Sequence, residues 1–197
     1  MEEVISSCQE HNIRVLCLPF ELHSCDSFLL SCFSKIFDIA IENNIVPVVP
    51  SGSNKNLEES IQGFSVLPNC ITVGGIDTTK GLESYSYSSC GPFQKNLKPD
   101  LVAACVDIIS LNTDNSYISE RNGIKLYPPS LEEPYAVKSG TSAACAFVAG
   151  VCALILENNP HLTFKDIKAL LKAACNTLEI PRFQQGNGML DLSKIIK

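Results

Sequence analysis

The sequence predicts an α/β protein with a mostly parallel sheet, and two observations lead to this class. The first 49 residues hold helical and strand-like apolar patterns in alternation, which is the order of a β-α-β unit. Residues 143–156 form a long apolar run without a charged residue, which is typical of a helix enclosed within a domain. With 197 residues, of which 45% are hydrophobic, the chain has the size and composition of one globular domain.

The first predicted element is a helix over residues 2–11. Val4, Ile5 and Cys8 fall on one face of it at helical spacing. A strand over residues 13–18, apolar apart from Arg14, is predicted to follow, and a proline ends it. Helix and strand together begin the alternating pattern.

The second helix is predicted to start after a capping side chain, either Ser24 or Asp26, and to end near Asn43. Its apolar stripe consists of Leu29, Phe33, Ile36, Phe37, Ala40 and Ile41. A buried strand is predicted over residues 46–49. The strand-helix-strand order implies that the two strands are parallel.

The middle of the chain adds strands joined by polar turns. Residues 50–56 form a turn at the carboxyl end of the second strand, the edge where open α/β folds place their ligands. A third strand is predicted over residues 70–76 and short apolar elements over residues 100–111, with a turn-rich loop at residues 85–99 between them. Residues 112–134 are polar and irregular, which indicates a surface excursion.

The last third of the chain contains the long apolar helix and a second, shorter one. The sequence N-N-P at residues 158–160 is a stop signal for the first of these helices. Thr163 and Asp166 have the spacing of a capping box, which predicts that another helix starts there. A short apolar element over residues 189–196 is predicted to close the chain.

Ser142 stands where the long apolar helix begins. Its hydroxyl is expected near unpaired backbone N–H groups and the positive end of the helix dipole. One interpretation is a capping serine, the commonest reason for a serine before an apolar run. The other interpretation is a nucleophile, with the helix N-terminus helping to stabilise an oxyanion.

The composition argues against several classes of function. A formal net charge of -6 and a pI near 5.1 are unfavourable for binding nucleic acid or an anionic membrane. No secretory signal is visible, and the apolar runs stop short of the about 18 residues of a membrane span. The ten cysteines are scattered, without a C-x-x-C pair, so reduced core thiols are expected. Together these features predict a cytoplasmic protein without a nucleic-acid or membrane partner.

The segment S-G-T-S-A-A-C-A-F-V-A-G at residues 139–150 resembles the nucleophile segment of the subtilisin-like serine proteases, G-T-S-M-A-A-P-H-V-A-G. Ala146 and Phe147 replace the proline and histidine that are usual in the family. Four further segments resemble the family in the same order. They are N-N-I-V-P-V-V-P-S-G-S-N, L-P-N-C-I-T-V-G-G-I, Y-S-Y-S-S-C-G-P with K-P-D-L-V-A-A-C-V-D-I-I-S, and G-N-G-M-L-D-L.

This resemblance implies a three-layer fold with helices on both faces of the sheet and the family's N-terminal strands missing. Residues 1–197 would then be the C-terminal part of a single, incomplete peptidase domain. The resemblance also implies that Ser142 attacks a peptide carbonyl, with the Asn54 amide or the Ser53 hydroxyl completing the oxyanion hole. The implied walls of the specificity pocket are Cys17, Leu18, Pro19, Phe20, Pro50, Ser51 and Gly52.

The family's aspartate and histidine segments, D-T/S-G and H-G-T-H, do not occur in the sequence. A serine is a weak nucleophile unless a base takes its proton. His161 follows the apolar helix and is expected about 24 Å from Ser142, too far to act as the base. His11 precedes the first strand and is expected at the opposite edge of the sheet. His23 follows a strand and is expected nearer to Ser142, but it matches no base of the family.

Two hypotheses follow. The first is a serine-type endopeptidase that acts on peptides or proteins and requires an Asp/His-bearing peptidase fragment as its partner. The alternative is a catalytically inactive binding or scaffold module with the same fold. No cofactor or metal site is expected, although calcium stays open. Asp107, Asp114 and Glu120 are more typical of solvated surface acids than of a cation site.

Overall fold

The computed structural model describes residues 1–91, 97–112, 120–121, 123–125 and 135–195. These ranges contain eleven strands and five α-helices. The strands are β1 (Val15–Cys17), β2 (Val46–Pro50), β3 (Ile71–Asp77), β4 (Glu83–Ser84), β5 (Leu101–Ala104), β6 (Ile108–Leu111), β7 (Glu120–Arg121), β8 (Ile124–Lys125), β9 (Tyr135–Lys138), β10 (Cys175–Asn176) and β11 (Met189–Leu190). The helices are α1 (Glu2–Glu10), α2 (Ser27–Glu42), α3 (Thr141–Asn158), α4 (Phe164–Ala173) and α5 (Arg182–Gln185).

One sheet forms the centre of the fold, with the strand order β1-β2-β3-β5-β11-β10 and with β4 paired to β3. The neighbours from β1 to β11 are parallel, whereas β4 and β10 add short antiparallel pairs. β1 and β2 flank α2 in the sequence and pair in parallel, with Val15 opposite Val46. This confirms the predicted β-α-β unit and the predicted mostly parallel sheet.

Helices cover both faces of this sheet. Successive residues of β2 point to opposite sides, because side chains alternate along a strand. Val48 belongs to a core shared with α3 and α4, whereas Val49 belongs to a core shared with α1 and α2. Ile5 of α1 and Phe37 of α2 are buried in the second of these cores. The predicted arrangement of three layers is thereby confirmed.

Side chains cap the N-termini of two predicted helices, α2 and α4. Asp26, and not Ser24, caps α2, and its carboxylate accepts a hydrogen bond from the Leu29 N–H at 2.9 Å. Thr163 and Asp166 form the predicted capping box of α4, in which the Asp166 carboxylate accepts from the Thr163 N–H at 2.9 Å. These caps satisfy N–H groups that a helix leaves unpaired at its start.

Two residues of the predicted apolar stripes are exposed in the structure. Val4 on α1 and Leu29 on α2 are each 39% exposed, although Ile5 and Cys8 beside Val4 are buried. Helical spacing predicts which residues share a side of a helix, but it does not predict how wide a stripe the neighbouring layer covers. The buried part of the apolar stripe on α1 and on α2 is therefore narrower than the stripe predicted from the sequence.

The long apolar helix α3 is open on one side. Its sheet-facing residues Cys145, Val148 and Cys152 are fully buried, whereas Phe147 and Leu154 are 47% and 43% exposed. The prediction of a helix enclosed on all sides is wrong, because apolar composition does not reveal which side the rest of the chain covers. By length and apolarity α3 could cross a membrane, and a half-buried core helix satisfies the same criteria.

A buried ionic cluster joins α4 to the sheet. The Asp100 carboxylate lies 2.7 Å from the Lys98 ammonium and 3.1 Å from those of Lys168 and Lys172, and it accepts the Thr72 N–H at 2.9 Å. Burial on its own raises the pKa of a carboxyl group. The attraction of Lys98 and Lys168, with hydrogen bonds from Lys98 and Thr72, outweighs this and lowers the pKa of Asp100 to about 2. Asp100 is therefore held as a carboxylate.

The segment between β5 and α3 is described only in part. β6 and β9 form a separate antiparallel pair with Ile108 opposite Lys138, and this pair leads directly into α3. β7 and β8 form a second short pair. Most of the predicted surface excursion at residues 112–134 lies outside the described residues.

Candidate active site

Ser142 is the second residue of α3 and not its cap. The capping position belongs to Gly140, whose φ of +148° favours glycine because it has no side chain. The Gly140 N–H donates to the Cys105 carbonyl at 2.8 Å, which fixes the approach of the chain to α3. The interpretation of Ser142 as a capping serine is therefore wrong, and its hydroxyl has no capping role.

The Ser142 hydroxyl lies where a strand end meets the start of a helix. Ser142 is exposed, and its hydroxyl donates to the Pro19 carbonyl at 3.0 Å, just beyond the end of β1. The N–H groups in the first turn of α3 have no partner within the helix and form the positive end of its dipole. A negative charge that develops on a group bound to this hydroxyl would be stabilised there.

The turn after β2 meets the same helix start. Thr141 donates from its hydroxyl to the Gly52 carbonyl at 3.3 Å, and the neighbouring Ser51 is buried. Gly52 has a φ of +107°, and a Cβ at this position would lie 3.0 Å from the Glu21 carboxylate. This positive φ favours glycine, because a residue with a side chain would be strained there. The structure therefore brings the turn after β2 and the end of β1 together at Ser142.

The other predicted pocket-wall residues have different surroundings. Leu18 and Pro50 are buried, and Cys17 is half-buried. Phe20 is 48% exposed and packs edge-on against Phe64, with 5.5 Å between the ring centroids. The role of these residues as walls of a specificity pocket stays a prediction.

The two residues predicted for the oxyanion hole are both engaged within their own loop. The Asn54 side-chain amide donates to the Ser60 carbonyl at 3.3 Å. Ser53 is exposed, and its backbone N–H donates to the Glu21 carboxylate at 2.8 Å. Which of the two serves an oxyanion stays a prediction. Sequence reasoning missed Glu21, although an acid just beyond the carboxyl end of a parallel strand is a signal of a residue at the ligand-binding edge.

No histidine forms a hydrogen bond with Ser142 in the described part of the chain, which includes His11, His23 and His161. His11 is the C-terminal cap of α1, and His161 follows the far end of α3. His23 is largely exposed, and its Nε2 lies 3.7 Å from the Glu21 carboxylate. Ser142 therefore has no histidine base in contact with its hydroxyl.

An apolar groove of about 550 Å³ opens beside Ser142. Ile108 and Ile109 of β6 line one part of it, and Ala143, Ala146 and Phe147 of α3 line another. None of the predicted pocket-wall residues lines this groove. The groove is therefore a surface beside the Ser142 hydroxyl that is separate from the predicted specificity pocket. The sequence did not indicate it.

No group of three or more His, Cys, Asp or Glu side chains is placed to hold a metal ion among the described residues. Of the three acids considered for a cation, Asp107 is exposed, and its backbone N–H donates to the Ser139 hydroxyl at 2.9 Å. Asp114 and the side chain of Glu120 lie outside the described residues.

A serine hydroxyl on the first turn of a core helix, at the carboxyl edge of a parallel sheet, is typical of α/β serine hydrolases. Comparison with known sequences narrows this class. Residues 1–188 match the subtilase family, Peptidase_S8, and the chain belongs to that family. The resemblance to subtilisin-like serine proteases that its motifs indicated is confirmed.

The chain is similar to several proteases. It is 40% identical to the serine protease AprX of Bacillus subtilis over 65% of this chain and 29% of that protein. It is 25% identical to the subtilisin-like protease PopC of Myxococcus xanthus, over 72% of this chain and 26% of that protein. The chain thus spans less than a third of these curated relatives. Fervidolysin from Fervidobacterium pennivorans, 22% identical, has the same fold with a TM-score of 0.75, over 98% of this chain and 28% of that chain.

Proposed function

We propose that this chain carries the nucleophile of a serine-type endopeptidase and that Ser142 is this nucleophile. The proposal depends above all on the position of the Ser142 hydroxyl, on the first turn of α3 and 3.0 Å from the Pro19 carbonyl. Membership of the subtilase family over residues 1–188 supports the reaction class. The proposed substrates are peptides or proteins.

The proposed chemistry is acyl transfer. Ser142 Oγ attacks the carbonyl carbon of a peptide bond, its proton passes to a base, and the carbonyl oxygen takes up negative charge. The Ser142 N–H and the positive end of α3 stabilise this oxyanion. As the intermediate collapses, the base gives its proton to the nitrogen, the C–N bond breaks and the amine leaves, with an acyl group on Ser142 that water then removes as a carboxylic acid.

The base, in this proposal, comes from an Asp/His-bearing segment in the same polypeptide or in a second chain. Two observations support this source. The family's aspartate and histidine segments do not occur within residues 1–197, and the Ser142 hydroxyl is bonded to a carbonyl oxygen, which is a poor base. We therefore expect residues 1–197 alone to be inactive or nearly inactive.

The expected docking site of this segment is the open face of α3, defined by Ala146, Phe147, Gly150 and Leu154, which are all exposed. Ala146 and Phe147 lie about one helical turn from Ser142 and line the apolar groove beside it. Contiguous exposed apolar surface of this kind marks sites of protein contact. A segment seated there can bring a histidine within hydrogen-bonding distance of the Ser142 hydroxyl.

A cytoplasmic location and a reaction without a cofactor complete the proposal. All ten cysteines are free thiols, and six of them are buried. Thiols persist in this form in a reducing compartment. Acyl transfer from a serine needs a base and an oxyanion hole but no redox or metal chemistry of its own.

The test is hydrolysis of fluorescently labelled casein by a mixture of this chain and a separately produced Asp/His-bearing subtilase fragment. The proposal predicts hydrolysis in the mixture and little in either part alone. Ser142→Ala should lower the turnover of the mixture by on the order of 10³-fold or more. Ser7→Ala removes an exposed hydroxyl on α1 and serves as the control, which should keep the activity. A mixture that forms a complex but hydrolyses nothing would contradict the proposal.

A non-catalytic binding module is the second candidate. The Asn54 amide favours it, because this amide is already bonded to the Ser60 carbonyl. Loss of such an oxyanion donor costs on the order of 10²–10³ in turnover. Under this alternative the complex binds peptides with measurable affinity and leaves them intact.

A further inference from the structure

Cys17 and Cys145 bring two sulfur atoms together next to Ser142. Their Sγ atoms are 3.8 Å apart, although the residues are separated by 128 positions in the sequence. Cys17 is the last residue of β1 and is half-buried. Cys145 is fully buried on α3, about one helical turn beyond Ser142. The pair thus links the two elements that meet at the Ser142 hydroxyl.

The two thiols differ in acidity and in access to solvent. The hydrogen bond with Cys145 lowers the pKa of Cys17, although burial acts in the opposite direction. The same hydrogen bond, followed by burial, raises the pKa of Cys145. Cys17 is therefore the thiol that ionises first and can meet a small oxidant, whereas Cys145 is its protected neighbour.

Three other buried cysteines have neither a lowered pKa nor access to solvent. Burial is the largest effect at Cys90, Cys105 and Cys152, and it raises the pKa of each to about 12. All three are fully buried. They are expected to behave as inert core thiols, because the thiolate is the reactive form of cysteine.

We propose that Cys17 and Cys145 form a redox-sensitive pair that closes to a disulfide in the presence of a small disulfide of the glutathione type. The inference does not rest on Ser142 being a nucleophile. Disulfides of proteins in reducing compartments are usually transient or redox-sensing, which fits a pair that reopens when small thiols dominate.

The reaction proceeds by two thiol-disulfide exchanges. The Cys17 thiolate attacks the small disulfide, whose S–S bond breaks, so that a mixed disulfide forms and one small thiolate leaves. Cys145 then loses its proton and attacks the Cys17 sulfur, and the second small thiolate leaves. The two protein thiols are oxidised by two electrons in total, and one small disulfide is reduced to two thiols.

The structural change that this reaction requires is small. The two sulfurs must approach from 3.8 Å to the about 2.0 Å of a disulfide bond. The new bond would tie the end of β1 to α3 and so fix the distance between the Pro19 carbonyl and Ser142, which are now joined by a 3.0 Å hydrogen bond. The pair would therefore couple the redox state to the geometry at Ser142.

The test is treatment of the folded chain with oxidised glutathione, followed by acid quenching, alkylation and peptide mapping without reduction. The proposal predicts loss of both thiols, a linked peptide that contains Cys17 and Cys145, and no glutathione retained on either. Dithiothreitol should restore both thiols. Cys25→Ser removes an exposed cysteine and serves as the control, which should form the same linked peptide.

The result with the unaltered chain decides the question without relying on a variant. A Cys17 that stays reduced, or that retains glutathione while Cys145 is free, would overturn the proposal. Cys145→Ala separates the two exchange steps, because it should trap glutathione on Cys17 as a lasting mixed disulfide. Circular dichroism of this variant verifies that the fold is kept.

Discussion

Asp100 and Ser142 belong to two regions with different surroundings. Around Asp100, three lysine ammonium groups and a backbone N–H come from within the chain and surround the buried carboxylate. Around Ser142, the hydroxyl donates to the carbonyl of Pro19, and the neighbouring Phe147 is 47% exposed. The carboxylate of the first region is enclosed, whereas the hydroxyl of the second is open to solvent.

This difference separates the residues that hold the fold from those proposed to perform the chemistry. A buried charge without a partner costs several kcal/mol, so the chain itself must supply the cations around Asp100. An exposed hydroxyl and exposed apolar side chains are tolerated in water, so the surroundings of Ser142 can be left to another segment. We therefore expect the Asp100 cluster to control stability, and the open face of α3 to control association.

The largest effect is expected from Asp100→Asn. The substitution keeps the size of the side chain but removes the charge opposite Lys98, which is 2% exposed. The free energy of unfolding should fall by about 3–5 kcal/mol, measured by urea denaturation. Asp38→Asn is the matched control, because Asp38 is exposed and accepts an amide hydrogen bond from Asn69. Asp38→Asn should lower the free energy of unfolding by less than about 1 kcal/mol. Equal losses in Asp38→Asn and Asp100→Asn would contradict the expectation that the Asp100 cluster controls stability.

Phe147→Asp tests the expectation that the open face of α3 controls association. A carboxylate on the open face of α3 should weaken the binding of an Asp/His-bearing subtilase fragment by on the order of 30-fold, because burying an unpaired charge in an apolar interface costs about 2 kcal/mol or more. Isothermal titration calorimetry measures this change. Leu170→Asp places the same charge on α4, at a leucine that is 43% exposed, and should leave the affinity unchanged. Full affinity in Phe147→Asp would exclude docking on α3.

Acid should weaken the Asp100 cluster in a defined pH range. The pKa of Asp100 is lowered from 3.8 to about 2 in the folded state, so its carboxylate stabilises the fold above the unfolded pKa. This contribution, about 2 kcal/mol, should be lost as the pH falls from about 5 through the folded pKa. Denaturation at stepwise lower pH measures the loss. Asp100→Asn should show a shallower dependence, and identical pH profiles would contradict the assignment.

The predictions from sequence were best where a local pattern decides the structure. Asp26 caps α2, and Thr163 with Asp166 caps α4, because a cap needs only a side chain and the backbone of the next turn. The parallel β-α-β unit followed from apolar runs in a fixed order. Ser142 was predicted at the start of the long helix, and the structure places it in the first turn.

The sequence did not reveal contacts between distant segments. Both sides of α3 are apolar, so the open side could not be distinguished from the side that packs on the sheet. Cys17 and Cys145 are 128 positions apart, and no spacing rule predicts that their sulfurs meet. The Asn54 amide was assigned from a motif, but its hydrogen bond to Ser60 depends on how the loop folds back.

The reaction of Ser142 with a fluorescent fluorophosphonate tests most directly whether this chain is half of an active site. The probe phosphonylates serine hydroxyls that a base activates. We predict that the folded chain is not labelled alone, is labelled after mixing with an Asp/His-bearing subtilase fragment, and loses the label in Ser142→Ala. An unlabelled chain in a mixture that demonstrably forms a complex, or a label that persists in Ser142→Ala, would contradict the central claim.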